Sequence, residues 1–232
     1  MNHLKFIKEL KIEIDRIFVN NLESNNVEIK KDKSFVTKID LEIDKAVKTI
    51  AKKYLDFNYY SEESSERDFL KPLLIVDPID GTKGLVKQNG EYCVSVGYWA
   101  EDSWGWLYYP DEKIEIHSND STENIHEHTH GLVSRSDYER GLFADETLEM
   151  VPMGSIAKKL GYLAQGKCRF VYSKTNKNVW DIFAGTVICQ RKGLYLYNKN
   201  GKINSYKKYY EGPLLWCTEK DFDELRELIN EF

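Results

Sequence analysis

The segment that most constrains this chain is an apolar run that ends in two acids, a proline and a glycine. Residues 73–82 read LLIVDPIDGT. Four apolar residues followed by turn formers predict a strand that is buried on both faces, and open α/β sheets place their ligands at the ends of such strands. Asp77 and Asp80 therefore lie at a predicted binding site.

The residues between the acids favour convergence of the two carboxylates. Pro78 biases Asp77 toward an extended backbone, and Gly81 permits a geometry or close approach that a Cβ would resist. Mg²⁺ takes oxygen ligands, so these carboxylates and the Ile79 carbonyl suit it. The alternative interpretation is an ordinary acidic turn after a core strand.

A phosphate site is predicted beside the metal. If Gly81 and Thr82 begin a helix that continues through Lys83, its free N–H groups and its dipole favour a bound anion. The metal and the phosphate would then share one pocket.

Two further segments add acids. Glu62 and Glu63 follow an aromatic pair that is typical of a short strand, and Asp181 follows Trp180 in the first turn of a predicted helix. Taken singly, the two glutamates also fit a solvated surface, and Asp181 also fits an ordinary helix start.

Together these segments resemble the inositol monophosphatase superfamily of Mg²⁺-dependent, lithium-sensitive phosphatases. The motifs that carry the resemblance follow the family's order: SFVTKID at 34–40, the acids Glu62-Glu63, DPIDGT at 77–82, Met153-Gly154-Ser155 and Trp180-Asp181. The resemblance covers about residues 5 to 192. The pair formed by DPIDGT and Trp-Asp is its most specific part, because chance must place both in order.

The resemblance implies a mixed α+β fold, a layered α-β-α-β-α sandwich of the inositol monophosphatase type. Residues 1–232 would form a single phosphatase domain with subdomains at about 1–120 and about 131–232. The polar stretch 118–131, which is nearly free of apolar residues, is the predicted boundary.

The resemblance also implies two or three Mg²⁺ ions and a water nucleophile. The implied metal ligands are Glu62, Asp77, the Ile79 carbonyl, Asp80 and Asp181. Thr82, paired with Asp40, would help to activate the water that attacks phosphorus in line, without a covalent intermediate. Whether Glu63 also contacts a metal is left open.

The resemblance implies a small phosphorylated metabolite as the substrate. It is greatest to the 3'(2'),5'-bisphosphate nucleotidase branch, which removes the 3'-phosphate of 3'-phosphoadenosine 5'-phosphate. The implied substrate-binding residues are Gly81, Thr82, Lys83, Arg135, Ser155 and Asp181. Arg135 and Ser155 would hold the second phosphate, although an arginine in a polar loop also fits a solvated residue and Ser155 also fits a helix N-cap.

Two departures from the branch pattern leave alternatives open. Asp137 stands where the branch often has a histidine, and residues 189–193 replace the family's usual Ala-Gly-Gly turn. The alternatives are an inositol or sugar monophosphate phosphatase and a non-catalytic metal- or phosphate-binding module. Retention of every required acid favours the enzyme. The sequence fits either a monomer or a homodimer.

Composition excludes other classes. The net charge of -5, with acids and bases interspersed, gives no electrostatic footprint for nucleic acid. Cys93, Cys168, Cys189 and Cys217 lack Cys-x-x-Cys spacing and fit a reducing cytoplasm, and no apolar run predicts a signal peptide or membrane span. The alternating His126, His128 and His130 could hold a transition metal, but a polar loop is the simpler interpretation.

Periodicity predicts the element order. Two helices precede the first acids, the second beginning near Asp40, and three antiparallel strands follow them. The predicted strands are 92–99, 104–109 and 113–117; then come a helix from Ser155, a strand at 169–172, the Asp181 helix, a hairpin at 198–201 and a helix from Thr218.

Overall fold

The computed structural model describes residues 2–21, 27–29, 35–65, 68–120, 128–143 and 148–230. Ser34 of the early motif and His126 of the histidine series lie outside these ranges. None of the helices in the described ranges combines the length and the apolar character that a membrane crossing requires.

The elements follow the predicted order, with additional short strands and helices. The helices are α1 Asn2–Asn21, α2 Lys38–Ala51, α3 Thr82–Val86, α4 Arg135–Glu139, α5 Ile156–Ala164, α6 Val179–Arg191, α7 Glu219–Leu225 and α8 Glu227–Asn230. The strands are β1 Val27–Ile29, β2 Phe35–Thr37, β3 Asn58–Ser61, β4 Leu73–Asp80, β5 Cys93–Trp99, β6 Trp104–Tyr109, β7 Ile114–His117, β8 Gly131–Ser134, β9 Met150–Met153, β10 Phe170–Ser173, β11 Lys177–Asn178, β12 Leu194–Asn198, β13 Gly201–Lys202, β14 Tyr209–Tyr210 and β15 Leu214–Thr218.

The first large sheet has five strands in the order β3-β4-β5-β6-β7. Strand β4 pairs with β3 in parallel and with β5 in antiparallel fashion, and the predicted meander β5-β6-β7 is confirmed. β4 is longer than its apolar run, because it continues through Asp77 and Pro78 to Asp80. Its register with β5 shifts between Asp77 and Asp80, so the backbone is re-aimed at the position where the acids lie.

Helices cover both faces of this sheet. On one face α1 and α2 bury apolar residues at helical spacing, and α2 begins with a capping box in which Thr37 and Asp40 bond each other's backbone N–H groups. On the other face α5 and α6 pack against β4, β5 and β6. The sheet is thereby buried on both faces, as the apolar run of β4 predicts.

Helix α6 approaches the sheet unusually closely at two paired glycines. Gly97 of β5 and Gly105 of β6 face each other across the ladder. A Cβ on Gly97 would lie 2.2 Å from Cδ1 of Phe183, and one on Gly105 would lie 2.2 Å from the carbonyl oxygen of Ala184. Only glycine fits at these two positions.

The second large sheet has six strands in the order β13-β12-β15-β10-β8-β9. Helices α5 and α6 contact it on one side, and α7 and α8 contact β15, next to an apolar cluster that includes Leu225 and Leu228. The sequence of layers is therefore α-β-α-β-α, as predicted. The last strand of the first sheet ends at His117 and the first strand of the second begins at Gly131, and the subdomain boundary at 118–131 stays a prediction.

The four cysteines are buried and free, so the two large sheets are not joined by a disulfide. Cys93 and Cys189 lie among apolar neighbours in the layer between the sheets, and their thiols pack there as small hydrophobic groups.

Candidate active site

One cavity of about 340 Å³ at the end of β4 gathers most of the predicted site residues. The predicted residues that line it are Glu62, Asp77, Ile79, Asp80, Gly81, Thr82, Lys83, Arg135 and Asp181. They come from the turn after β3, from β4 and the turn after it, and from the helices α3, α4 and α6.

Asp77 lies at the bottom of this cavity and is 1% exposed. Its Oδ1 atom is buried and has no hydrogen-bond partner. Burial, and then the nearby Glu62 and Asp80 carboxyl groups, raise the pKa of Asp77 well above its usual value. A buried acid beside other acids is costly unless a cation compensates it, so Asp77 fits a metal ligand.

Asp80 ends β4 and is held by the first turn of α5. Its Oδ2 atom accepts hydrogen bonds of 2.5 Å from the Ser155 hydroxyl and from the Ala157 N–H. Burial raises the pKa of Asp80, while these two donors and the nearby Lys159 ammonium oppose that rise. The hydrogen bonds fix the direction in which the carboxylate points.

Asp181 lies in the first turn of α6, as predicted. Its Oδ2 atom accepts a 2.8 Å hydrogen bond from the Asn178 N–H, which orients the carboxylate at the helix N-terminus. Burial, and then the Asp80 carboxylate, raise the pKa of Asp181 to about 7, and the Lys177 ammonium opposes that rise.

Thr82 and Asp40 are in contact. The Thr82 hydroxyl lies 3.3 Å from Oδ1 of Asp40 and 3.1 Å from the Ile79 carbonyl oxygen, so either can accept its single proton. The other carboxylate oxygen, Oδ2, accepts from the Thr37 N–H and hydroxyl. Burial raises the pKa of Asp40 to about 6, with the Thr37 hydrogen bonds opposing.

Gly81 makes the turn between the acids and α3. It has φ +90°, and a Cβ there would lie 2.4 Å from the Glu91 carbonyl oxygen. Both roles predicted for this glycine are therefore confirmed, because the backbone is left-handed and another segment passes close to it. The helix that follows, α3, has only 5 residues.

The chemistry of the donor set fits Mg²⁺. The cavity offers carboxylate and carbonyl oxygens, and Asp77 carries a buried oxygen without a partner. Among the described residues, however, no three His, Cys, Asp or Glu side chains already close around one point in metal-binding geometry. Asp80 and Asp181 each direct one carboxylate oxygen toward protein N–H or O–H donors.

The two residues predicted to bind a second phosphate, Arg135 and Ser155, form hydrogen bonds with other side chains of the protein. Arg135 begins α4 rather than lying in a loop, and its guanidinium bonds both carboxylate oxygens of Glu91. Ser155 caps α5 and donates to Asp80. Lys83 is exposed at the cavity wall.

Asp137, the departure from the nucleotidase pattern, has its hydrogen-bond partners within the protein. It is fully buried, and its carboxylate bonds the Arg140 guanidinium and accepts a 3.4 Å hydrogen bond from the Thr175 hydroxyl. The Arg140 guanidinium therefore balances the charge of the Asp137 carboxylate.

The sequence did not identify three charged residues at the site. Glu91 lines the main cavity, and Lys159 and Lys177 line an adjoining cavity of about 230 Å³ that also contains Asp80 and Asp181. Burial lowers the pKa of Lys159 to about 7 and also lowers the pKa of Lys177. No sequence signal indicated Lys159, since it falls with Lys158 on the polar side of α5 and yet is buried.

Comparison with known proteins agrees with this geometry. The model of the inositol monophosphatase family matches residues 4–113. The chain is 26% identical to a fructose-1,6-bisphosphatase/inositol-1-monophosphatase from Thermotoga maritima, a match that covers 89% of this chain and 87% of that protein.

Solved structures have the same fold. An IMPase/NADP phosphatase complexed with Mg²⁺ and phosphate is similar with a TM-score of 0.80 and 21% identity, over 98% of this chain and 95% of that one. A Thermotoga maritima IMPase is similar with a TM-score of 0.81 and 23% identity, over 100% of this chain and 98% of that one. A staphylococcal inositol monophosphatase in a lithium inhibitory complex is similar with a TM-score of 0.80 and 20% identity, over 98% of this chain and 94% of that one.

The sequence comparison and the fold comparison agree. The chain is similar in sequence to the inositol monophosphatase family model over residues 4–113, and its layered fold is that of solved inositol monophosphatases.

Proposed function

We propose that this protein is a Mg²⁺-dependent phosphomonoester hydrolase. The observation that carries the proposal is the buried Asp77 carboxylate, whose Oδ1 has no hydrogen-bond partner and which is surrounded by other acids. Stability alone would not favour this arrangement, because each neighbouring carboxylate increases the cost of ionising Asp77. A bound divalent cation would remove that cost.

The acids in the cavity would hold two or three Mg²⁺ ions. Glu62, Asp77 and the Ile79 carbonyl would supply one set of oxygens, and Asp77, Asp80 and Asp181 another, with Asp77 shared. When bound, Mg²⁺ supplies a lowered water pKa and charge stabilisation for the transferring phosphoryl group.

Thr82 and Asp40 would orient the attacking water. The Thr82 hydroxyl has one proton, and Asp40 is within reach to accept it. The lone pairs of Thr82 Oγ1 then remain to accept a hydrogen bond from water, which aligns that water for in-line attack on phosphorus. Thr37 fixes Asp40 in turn, so the pair is held by the capping box of α2.

The substrate class we favour is the 3'(2'),5'-bisphosphate nucleotides, such as 3'-phosphoadenosine 5'-phosphate. Support comes from the adjoining cavity, where Lys159 and Lys177 lie next to the acids. Two ammonium groups there would pair with a second phosphate while the first binds the metals. This is a different basis from the Arg135 and Ser155 assignment. Those two side chains bond the carboxylates of Glu91 and Asp80, whereas Lys159 and Lys177 bond neutral oxygens, those of the Met153 carbonyl and the Thr175 hydroxyl.

A monophosphate is the alternative substrate. The relative from Thermotoga maritima carries a fructose-1,6-bisphosphatase/inositol-1-monophosphatase name, and a structural neighbour was solved with D-inositol-1-phosphate. An inositol or sugar monophosphate would need the metals and α3 but not the second cavity. Another neighbour was solved with NADP, so a nucleotide phosphate also has a precedent on this fold.

The test is Mg²⁺-dependent phosphate release from 3'-phosphoadenosine 5'-phosphate, NADP, inositol 1-phosphate, a sugar 1-phosphate and fructose 1,6-bisphosphate. We expect the highest kcat/KM for the bisphosphorylated nucleotide, and Asp77→Asn should abolish release. Asp102→Asn is the matched control, because the Asp102 side chain is 92% exposed and lies outside the cavity.

Other outcomes separate the alternatives. A preference for a monophosphate would overturn the nucleotide assignment but keep the hydrolase. No release from any of these compounds, with Mg²⁺ bound, would instead favour the non-catalytic metal- or phosphate-binding module.

A further inference from the structure

Glu91 occupies a crowded position beside the acid-bearing turn. Its carbonyl oxygen passes so close to Gly81 and Gly84 that a Cβ on either glycine would lie 2.4 or 2.5 Å away. Its backbone N–H donates a 3.0 Å hydrogen bond to Oδ1 of Asn89, which fixes the turn before β5. The main chain of Glu91 is therefore packed directly against the segment that carries Asp80.

The Glu91 side chain points away from the segment that carries Asp80 and contacts two other segments, α4 at Arg135 and the turn before α5 at Gly154. Its Oε2 atom accepts from Nε of Arg135 at 2.7 Å and from the Gly154 N–H at 3.0 Å, and its Oε1 atom accepts from Nη2 of Arg135. Nη2 also donates to the Pro152 carbonyl at 2.9 Å. Glu91 therefore links α4 to the turn that precedes α5 through charge-assisted hydrogen bonds, two of them from the Arg135 guanidinium.

Both side chains are partly shielded from water, with exposed fractions of 16% for Glu91 and 35% for Arg135. Burial works to raise the pKa of Glu91, but the Arg135 hydrogen bonds and charge outweigh it and hold that pKa below its usual value. The carboxylate is thus ionised at neutral pH, and it neutralises the guanidinium charge at the cavity wall.

Gly154, which the Glu91 carboxylate binds, is adjacent to Ser155. Ser155 and Ala157 are the two donors to Oδ2 of Asp80. A continuous set of contacts therefore runs from Arg135 through Glu91 and Gly154 to Ser155 and then to Asp80. Because ligand-orienting partners are typically worth about 10- to 100-fold in metal affinity or activity, such a set bears directly on the metal site.

We propose that Glu91 and Arg135 form a positioning pair that holds the Gly154-Ser155 turn in the place from which it orients Asp80. Arg135 then acts on the protein rather than on the substrate phosphate. The inference rests on the proposed function, because Asp80 is a metal ligand only in that reaction.

The pairing makes a specific prediction about variants. If the two side chains act as one unit, Glu91→Gln and Arg135→Met each break it, and the double variant loses no more than the more affected single one. If Arg135 instead binds the substrate phosphate directly, the two single variants should change the affinity for phosphate in opposite directions. Freeing the guanidinium with Glu91→Gln would then strengthen phosphate binding, and Arg135→Met would weaken it.

The experiment is a Mg²⁺ titration by isothermal calorimetry on the wild type and the three variants, with kcat and KM from phosphate release. We expect Mg²⁺ affinity to fall about 10-fold in each variant, non-additively, with kcat lowered and KM for the substrate nearly unchanged. Unchanged Mg²⁺ affinity in both single variants would overturn the proposal, as would a lower KM in Glu91→Gln together with a higher KM in Arg135→Met.

A matched control is Arg169→Met. Arg169 and its partner Asp221 have side-chain exposures of 19% and 18% and form an ion pair at the α7 end of the second sheet. Breaking it should lower the free energy of unfolding without changing Mg²⁺ affinity. An equal loss of Mg²⁺ affinity in Arg169→Met would attribute the effect to general destabilisation and would also overturn the proposal.

Failure of this inference is distinguishable from failure of the proposed function. If the wild type binds Mg²⁺ but releases no phosphate, the hydrolase proposal fails and the calorimetric comparison still tests the pair. If the wild type is active and the variants bind Mg²⁺ normally, only the positioning role fails. If the wild type binds no Mg²⁺, both proposals fail.

Discussion

Asp181→Asn should stabilise the metal-free protein while abolishing its Mg²⁺ response. The substitution keeps a side-chain oxygen that can accept the hydrogen bond from the Asn178 N–H, so the start of α6 is preserved. It removes one carboxylate from a buried group of acids. The protein therefore gains stability from a change at its own functional site, as expected where charge is held for function.

The magnitude follows from the pKa of Asp181. Burial and the neighbouring Asp80 raise it from 3.8 to about 7 in the folded protein. A shift of about three units corresponds to about 4 kcal/mol at about 1.4 kcal/mol per unit. Below pH 3.8 the acid is protonated in both states and costs nothing. As the pH rises toward 7 the folded state holds the extra proton, and above that value the full cost is present.

We therefore expect the metal-free wild type to lose stability as the pH is raised from 5 to 8, and Asp181→Asn to lose less. At pH 8 in EDTA the variant should be more stable by about 2 to 4 kcal/mol, which for a chain of this size is a Tm increase of about 4 to 16 °C. Saturating Mg²⁺ should remove or reverse the difference, because only the wild type gains binding energy.

The assay is thermal and urea unfolding of both proteins at pH 5 and pH 8, in EDTA and in Mg²⁺. Asp221→Asn is the control, since Asp221 also lies in the first turn of a helix but pairs with Arg169. It should be destabilising. The reasoning is refuted if Asp181→Asn is no more stable than the wild type in EDTA at pH 8.

Three further predictions follow from the geometry. Thr82→Val should lower kcat about 10²- to 10⁴-fold with little change in KM, because it removes the hydroxyl next to Asp40; a parallel rise in KM would indicate a binding role instead. Gly97→Ala should lower the free energy of unfolding by about 1 to 3 kcal/mol in urea, since its Cβ would lie 2.2 Å from Phe183; an unchanged midpoint would contradict the packing. Li⁺ should inhibit phosphate release at fixed Mg²⁺ by competing for the same oxygen ligands, and undiminished release across a Li⁺ titration would count against the assigned site.

The acids could be predicted because most of their information is local. Asp77, Asp80, Gly81 and Thr82 lie within six consecutive positions, so a strand, a turn and a helix start fix their mutual geometry. Asp181 needed only the recognition of a helix N-terminus. The layered fold was implied by the resemblance to the inositol monophosphatase superfamily, whereas periodicity predicted only the order of the helices and strands.

The electrostatic partners could not be predicted in the same way. Glu91 and Arg135 are separated by 44 positions and meet only because α4 and the β5 turn converge at the cavity. The sequence around neither residue predicts a contact with the other, and an arginine after a serine also fits a solvated loop. Lys177 lies only four positions before Asp181, where β11 leads directly into α6, but its effect on the pKa of Asp181 depends on the burial of both side chains.

Helix α6 contacts the core at Gly105 and carries Asp181 into the site, so the packing in the core affects the position of that carboxylate. Asp181 is three residues from Ala184, about 4.5 Å along the helix axis, and Ala184 rests on Gly105 with no side chain between them. A methyl group added at that glycine would push the helix outward near its start, and the carboxylate would move with it. Since functional groups must be held to about 0.5 Å, we expect Gly97 and Gly105, which do not line the cavity, to influence the Mg²⁺ affinity of the proposed site.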